Sequence, residues 1–321
     1  MRRAPLKRQR GVAVITALLL TTLAVTIVAS LFWQQQVQVR TMENQRLHLQ
    51  TKWILRGALD WARLVLRQDG MDSPGYTSLT AVWNTPLAET RLDQYIERER
   101  VQGEIFDATL SGRIIDATSR YNLTNLATGP VINDKHVKIY QRLLASLQID
   151  QTLAARTAKA VADGSPPLPV QTGAPAPTAR TRSPIALTQL DDLLTIPGYT
   201  VAIVDKLREF VIVLPSGALT VNVNTAPPEV IAAMVENYSV SQATSLVARR
   251  KQAYYRQISD FTGQLFGATL TEPAAVDVKS EWFLVASRVR LDRAALDAEA
   301  LVNRELNGQT FKTTTVWVRQ N

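Results

Sequence analysis

The chain has 321 residues, a formal net charge of +8 and no cysteine, which excludes disulfides, cysteine nucleophiles and thiolate metal sites. Five of its basic residues lie within the first ten positions, and +8 less these five leaves +3 for the rest. The basic charge therefore belongs largely to an N-terminal segment and does not indicate a nucleic-acid partner.

An uncharged apolar segment runs from Val12 to Trp33. Its length of about 20 residues matches the hydrocarbon thickness of a bilayer, and Trp33 stands where an indole prefers the membrane interface. A secretory signal peptide has a shorter apolar region, whereas an ordinary signal anchor explains the hydropathy equally well. Because basic residues precede the segment, the positive-inside rule predicts a cytoplasmic N-terminus and an exported C-terminal part.

The start of the segment resembles a type IV prepilin, because a short basic leader ends in Gly11 and the apolar helix begins at Val12. The resemblance implies that a prepilin peptidase cuts between Gly11 and Val12, and that Val12 is then N-methylated. The fifth residue after the cut is Thr16, where most pilins carry a glutamate that pairs with a neighbouring N-terminus. An unpaired carboxylate is costly in lipid, so Thr16 suits a subunit with no partner above it.

A continuous helix is predicted from about Val12 to about Gln68, roughly 85 Å long, since no proline occurs between Pro5 and Pro74. The alternative is two helices joined near the glutamine run at 34–36. Helical spacing predicts that one face packs on a domain, and this face carries Leu47, Ile54, Ala58, Trp61 and Val65.

Strand patterns flank the middle of the chain. Two short strands, 102–110 and 112–116, are predicted to form a hairpin around Ser111-Gly112, after a loop at 83–87. Alternating apolar residues predict further strands within 274–292, 299–305 and 310–319. The sequence therefore predicts an α+β fold in which the long helix packs on an antiparallel sheet.

The residues between these strands predict an all-helical insertion. Asn122 and Asn125 are expected as turn and cap residues, a helix follows over 137–161, and a proline-rich linker spans 164–184. Two helix–hairpin–helix units come next, with Thr188 and Thr225 as candidate N-caps. The predicted divisions are a leader at 1–11, a transmembrane part at 12–33, spine and first strands at 34–116, helical units at 117–215 and 219–270, and final strands at 274–321.

The second helical unit also resembles DNA-binding helix–hairpin–helix proteins, including competence receptors. In those proteins a Gly-x-Gly hairpin brings backbone N–H groups onto a phosphate. The corresponding segment, 235–240, has no glycine, and Glu236 places a negative charge where a phosphate would lie. We therefore predict no nucleic-acid binding, and keep an anchored DNA-binding or uptake protein as an alternative.

An ordered set of motifs resembles the minor pseudopilin K family of type II secretion systems. The set comprises Gly11-Val12 with Thr16, Gly57–Ala62, Arg120–Leu123, Leu190–Gly198, Leu214–Gly217, Val221–Pro228 and Ser280–Phe283. The resemblance spans nearly the whole chain. It implies a type IV pilin-like fold with a large inserted all-α domain of SAM-like or helix-hairpin-helix type.

The same resemblance implies a role at the tip of a pseudopilus in the bacterial inner membrane, with the C-terminal domain in the periplasm. The expected partners are the minor pseudopilins I and J, the major pseudopilin and the prepilin peptidase. The tip subunit would cap and initiate the filament that supports export of folded proteins across the outer membrane. A minor type IV pilin is the alternative within the pilin class.

Catalytic and metal-binding motifs are not evident in the sequence. It contains no P-loop, no G-x-S-x-G and no metal-spaced histidine pair, because His48 and His136 are far apart, so we predict no enzyme. The adjacent Asp191 and Asp192 are interpreted as a solvated helix start. Some members of the K family bind calcium, so calcium stays open as a cofactor. No ligands are assigned, because the late acidic residues are scattered: Asp277, Asp292, Asp297 and Glu299.

Overall fold

The computed structural model describes residues 10–92, 108–165, 186–215, 219–307 and 310–320. Its first element is helix α1, Arg10–Asp72, with 63 residues and therefore a length of about 95 Å. One continuous helix is confirmed over the alternative of two. The leader predicted before it lies almost wholly outside the described residues.

A five-stranded antiparallel sheet packs against the C-terminal half of α1. Its strands, in sheet order, are β1 Leu87–Arg91, β2 Ala108–Asp116, β3 Trp282–Leu291, β4 Ala294–Asn307 and β5 Thr310–Gln320. The alternation predicted for the third strand is confirmed, since Phe283, Val285, Ser287, Val289 and Leu291 are all buried.

The predicted hairpin around Ser111-Gly112 is wrong, because β2 runs straight through these residues and pairs with β3 on one side and β1 on the other. Gly112 lies opposite Ser287, and a Cβ at this position would stand 2.7 Å from the carbonyl oxygen of Ala286. The glycine therefore permits a close approach between strands and does not form a turn. The part of the predicted first strand at 102–107 lies outside the described residues. Within the loop predicted at 83–87, Trp83 is buried in a single 3₁₀ turn.

The face of α1 that packs on the sheet overlaps the predicted one, because Ile54 and Val65 are partly buried against the sheet core, but its centre lies one position away. The buried residues are Leu55, Leu59, Ala62 and Leu66, whereas Trp61 is 53% exposed. Each residue advances a helix by about 100°, so the predicted stripe lies along the flank of the buried face and not at its centre. Ala58 lies on the buried side as predicted.

A helical head is inserted between β2 and β3. Its helices are α2 Asp134–Ser146, α3 Leu153–Gly164, α4 Val201–Leu207, α5 Pro228–Met234, α6 Val240–Arg250 and α7 Ile258–Thr262. Two-residue strands tie it together: Tyr121–Asn122 with Val211–Ile212, Ala127–Thr128 with Val131–Ile132, and Val221–Asn222 with Val276–Asp277. One apolar cluster runs through the whole head, from Tyr121 to Val278. The division into two units therefore stays a prediction.

Local features of the head differ in part from the expectations. The helix predicted over 137–161 is two helices, which are separated by a turn where Gln148 has a φ of 56°. Asn122 caps a 3₁₀ turn by accepting from the N–H of Thr124, as predicted. The predicted cap at Thr225 is wrong because Pro227 precedes α5 at the cap position. Thr188 is likewise not the cap, which is the next residue.

Candidate functional site

No other part of the chain that the structure describes packs around the N-terminal half of α1. Its large apolar side chains from Val12 to Trp33 are 49–72% exposed. Among the described residues, α1 alone is long and apolar enough to cross a membrane. Four threonine hydroxyls in this half donate back to carbonyls of the preceding turn and so have a partner within the helix itself, as a lipid environment requires: Thr16, Thr21, Thr22 and Thr26.

Thr16 lies one helical turn after the predicted processing site. Its Oγ1 donates to the carbonyl oxygens of Val12 and Ala13, at 3.1 and 3.0 Å. Gly11 and Val12 belong to the first turn of α1. An uncharged, internally bonded side chain thus lies at the position that the predicted cleavage makes equivalent to the usual pilin glutamate.

The C-terminal end of β2 carries a buried carboxylate that joins the sheet to the head. Asp116 accepts from the N–H and Oγ1 of Thr118, at 2.8 and 2.7 Å. It also accepts from Oγ of Ser280 and Oγ1 of Thr225, each at 2.5 Å, and from Nδ2 of Asn222 at 3.2 Å. Five donors from separate parts of the chain thus satisfy one carboxylate in the interior.

A buried guanidinium stands beside this carboxylate cluster. Arg304 of β4 donates through Nη1 to the carbonyl of Leu66 at 3.0 Å and to Oδ2 of Asp69 at 2.6 Å. Through Nη2 it donates to Oγ1 of Thr77 and the carbonyl of Ser280, at 2.9 and 3.0 Å. Burial raises the pKa of Asp69, although the hydrogen bond from Arg304 acts to lower it.

Ser280 and Thr77 connect the two polar clusters, because the N–H of Ser280 donates to Oγ1 of Thr77 at 3.1 Å. We call the combined set around Asp116 and Arg304 the junction. It binds α1, the sheet and the head to one another at the end of α1 that lies farthest from the apolar anchor. Sequence reasoning missed it. The available signal was the run of polar residues, Asn222, Asn224 and Thr225, within an otherwise apolar segment.

The two histidines take structural positions. His136 is buried in the head, and its Nδ1 lies 3.0 Å from the hydroxyl of Tyr121. Burial lowers the pKa of His136. His48 lies exposed on α1, far along the chain from His136. Each is thus a packing or surface residue, as predicted.

The acidic residues that the sequence singled out are dispersed. Asp191 pairs with Arg208, and Asp192 accepts from the N–H groups of Thr188 and Gln189. Asp297 forms two hydrogen bonds with Arg288 across β3 and β4, at 2.6 and 2.8 Å. No group of three metal-binding side chains occurs within the described ranges.

The fold defines a membrane-anchored, pilin-like subunit. The N-terminal half of α1 is apolar and exposed, the sheet packs on its C-terminal half, and the head is inserted into the sheet. A family described as Type II secretion system (T2SS), protein K matches residues 119–216 and 221–279. Type II secretion system protein K of Pseudomonas aeruginosa is 30% identical over 303 residues, covering 88% of this chain and 85% of that protein. The chain belongs to the type II secretion system protein K family, whose members are minor pseudopilins.

Two further comparisons match this chain over most of its length. The protein K of Aeromonas hydrophila is 26% identical and covers 94% of this chain and 98% of that protein. A solved structure of the GspK-GspI-GspJ complex from enterotoxigenic Escherichia coli contains a chain of the same fold, with a TM-score of 0.66 at 16% identity. The alignment covers 87% of this chain and 99% of that chain. The pilin-like α+β fold with a helical insertion is therefore confirmed.

Proposed function

We propose that this chain is the tip subunit of a pseudopilus, which caps and initiates the filament and so supports export of folded proteins across the outer membrane. The observation that carries the proposal is the place of the head, which the junction fixes at the end of α1 farthest from the anchor. A further subunit stacked above would meet the head instead of a bare helix end. The subunit is therefore suited to start a filament and not to extend it.

The proposed partners are the minor pseudopilins I and J, with the major pseudopilin below them. This rests on the family, and on a chain of the same fold having been solved in a GspK-GspI-GspJ complex. Native mass spectrometry of the full-length chain, extracted with its I and J proteins in mild detergent, tests it. We expect one copy of each protein. Several copies of this chain in one particle would contradict the tip role.

We propose that a prepilin peptidase cuts between Gly11 and Val12 and that Val12 is then N-methylated. The supporting feature is the basic segment ending at Gly11, directly followed by the exposed apolar half of α1. N-terminal sequencing of the membrane-extracted protein, with and without the peptidase, should give a peptidase-dependent start at Val12. An intact Met1, or a cut beyond Ser30, would contradict the assignment.

We propose that the missing charge at Thr16 is part of the tip role. A carboxylate in the apolar half of α1 would need a partner, and a terminal subunit has none above it. Thr16→Glu should therefore lower secretion, whereas Thr16→Val, which stays uncharged, should support it. Full secretion with Thr16→Glu would contradict the proposal that this position has a role in assembly.

The proposed orientation has a cytoplasmic N-terminus and a periplasmic sheet and head. Because the chain has no cysteine, one introduced thiol reports its own compartment. Lys312→Cys, on the exposed part of β5, should react with a membrane-impermeant maleimide in cells with a permeabilised outer membrane. Labelling only after lysis of the inner membrane would reverse the topology.

A further inference from the structure

Among the described residues of the head, Phe266 has the most exposed large apolar side chain, directly after the 3₁₀ turn Gly263–Leu265. The side chain is 80% exposed, and its backbone is left-handed, with φ 51° and ψ 41°. A bulky residue seldom adopts this conformation, because its Cβ crowds the backbone. The position thus combines backbone strain with an aromatic ring that adds nothing to the core.

The backbone on both sides of Phe266 is held in place. Leu265 is buried, and its carbonyl accepts from the N–H of Ala268 at 3.1 Å. Further on, the carbonyl of Thr269 accepts from the N–H of Glu236 at 2.8 Å, which ties this loop to the α5–α6 turn. The ring is therefore presented by an ordered backbone. Strained residues that the surrounding structure keeps in place are concentrated at binding and catalytic sites.

A guanidinium group lies against the ring of Phe266. The guanidinium of Arg249, at the end of α6, lies 5.5 Å from the centroid of the Phe266 ring. Lys251 follows two residues later and is also exposed. The acid of the adjoining turn, Glu236, lies 3.3 Å from the hydroxyl of Thr269. An exposed aromatic ring beside an arginine, fixed in place before binding, has the composition of an interface hot spot.

We propose that Phe266 and Arg249 form a docking surface for a protein partner that offers an apolar pocket flanked by carboxylates. The ring fills the pocket, and the guanidinium meets the acidic rim. Charge complementarity selects this partner, because the cations at the end of α6 would repel a basic rim. The inference goes beyond the tip role, since it depends on the head alone and not on position in a filament.

The first test separates binding from folding. Asparagine tolerates the left-handed conformation, so Phe266→Asn should relieve strain and raise the Tm of the full-length protein while secretion falls about tenfold. Phe266→Trp keeps the ring and should retain secretion. Val82→Ser is the matched control, because Val82 is 77% exposed outside the head. Unchanged secretion by Phe266→Asn, or a lower Tm, would overturn the proposal.

The second test identifies the chemistry of the partner. Benzoylphenylalanine replaces Phe266 in cells, and mass spectrometry maps the residue that it captures. We expect a protein adduct at an apolar residue with Asp or Glu beside it, and a several-fold lower yield when Arg249→Glu is added. An adduct with nucleic acid, an adduct at a site without carboxylates, or a yield no higher than from the same probe at position 82 would each overturn the proposal. The tip role is judged separately by the stoichiometry with I and J.

Discussion

The sheet and the head are built around separate apolar cores that are held together differently. In the sheet, Leu55, Leu59 and Leu66 of α1 pack against Phe283 and Val285 of β3. In the head, short helices surround the core, and none of the described core residues comes from α1. A small apolar cluster and the polar junction lie between them. Apolar burial therefore stabilises each body, whereas the junction fixes the angle between them.

The two cores also differ in their buried polar contacts. The head contains a chain of hydroxyl groups, in which Tyr199 lies 2.8 Å from the hydroxyl of Tyr140 and 2.7 Å from Oγ1 of Thr157. In the sheet core, Arg304 lies over the ring of Phe283, and Ser287 is buried on the same face of β3 as the apolar side chains. The hydroxyl–hydroxyl contacts join side chains from three separate segments of the head and so add directional bonds to its apolar core.

The largest effect is expected from Arg304→Met, which breaks the junction at its charged centre. Asp69 would be left buried without its partner, and removing one member of a buried pair costs about 3–5 kcal/mol. Urea unfolding of the detergent-extracted protein measures this loss. Arg288→Met is the control, because the Arg288–Asp297 pair is exposed and should change stability little. Equal losses for both variants would show that burial at the junction does not matter.

One truncation in each core tests whether the sheet and the head are stabilised independently. Leu66→Ala removes a fully buried side chain from the sheet core and Leu144→Ala one from the head, and each should cost about 2–5 kcal/mol. Hydrogen exchange should show Leu66→Ala loosening the sheet and Leu144→Ala loosening the head. If each variant loosened both bodies equally, the two cores would be one cooperative unit.

Asp116→Ala should cost somewhat less, about 2–3 kcal/mol, because it leaves several buried donors without an acceptor. It should also uncouple the bodies, so that one calorimetric transition becomes two. Thr225→Val, which removes a single donor, is the milder comparison. A single transition for Asp116→Ala would mean that the apolar cluster alone couples the sheet and the head.

The smallest effect is a pH dependence confined to the head. Because burial lowers the pKa of His136, the unfolded chain binds the proton more readily than the folded one. The stability from neutral His136 is present above the ordinary pKa of 6.5 and is lost as pH falls through that value towards the folded pKa. His136→Gln should flatten this slope in chemical unfolding between pH 7.5 and 5. His48→Gln, an exposed change on α1, should leave it unchanged.

Features that depend on local periodicity could be predicted from the sequence. The length of α1 follows from a long run without proline, and the buried face of β3 follows from its apolar residues at alternate positions. The exposed apolar anchor follows from composition alone. These features need no knowledge of what packs against them.

Features that depend on distant partners could not be predicted. Gly112 looked like a turn residue, but its role is set by the carbonyl of Ala286 on a strand far along the chain. Thr225 looked like a helix cap, but its hydroxyl bonds Asp116 across 109 residues. A local pattern cannot distinguish a polar side chain that caps its own helix from one that completes a remote cluster.

The chain leaves the sheet to form the head and returns to it at a neighbouring point, because Asp116 at the end of β2 lies opposite Phe283 near the start of β3. In the sheet, the whole insertion thus occupies the place of a single hairpin loop. Loop length enters the closure free energy only logarithmically, so the length of the insertion by itself costs the sheet little. The head is consequently an exchangeable module: the pilin scaffold could gain, lose or replace it in evolution without any strand changing its neighbours.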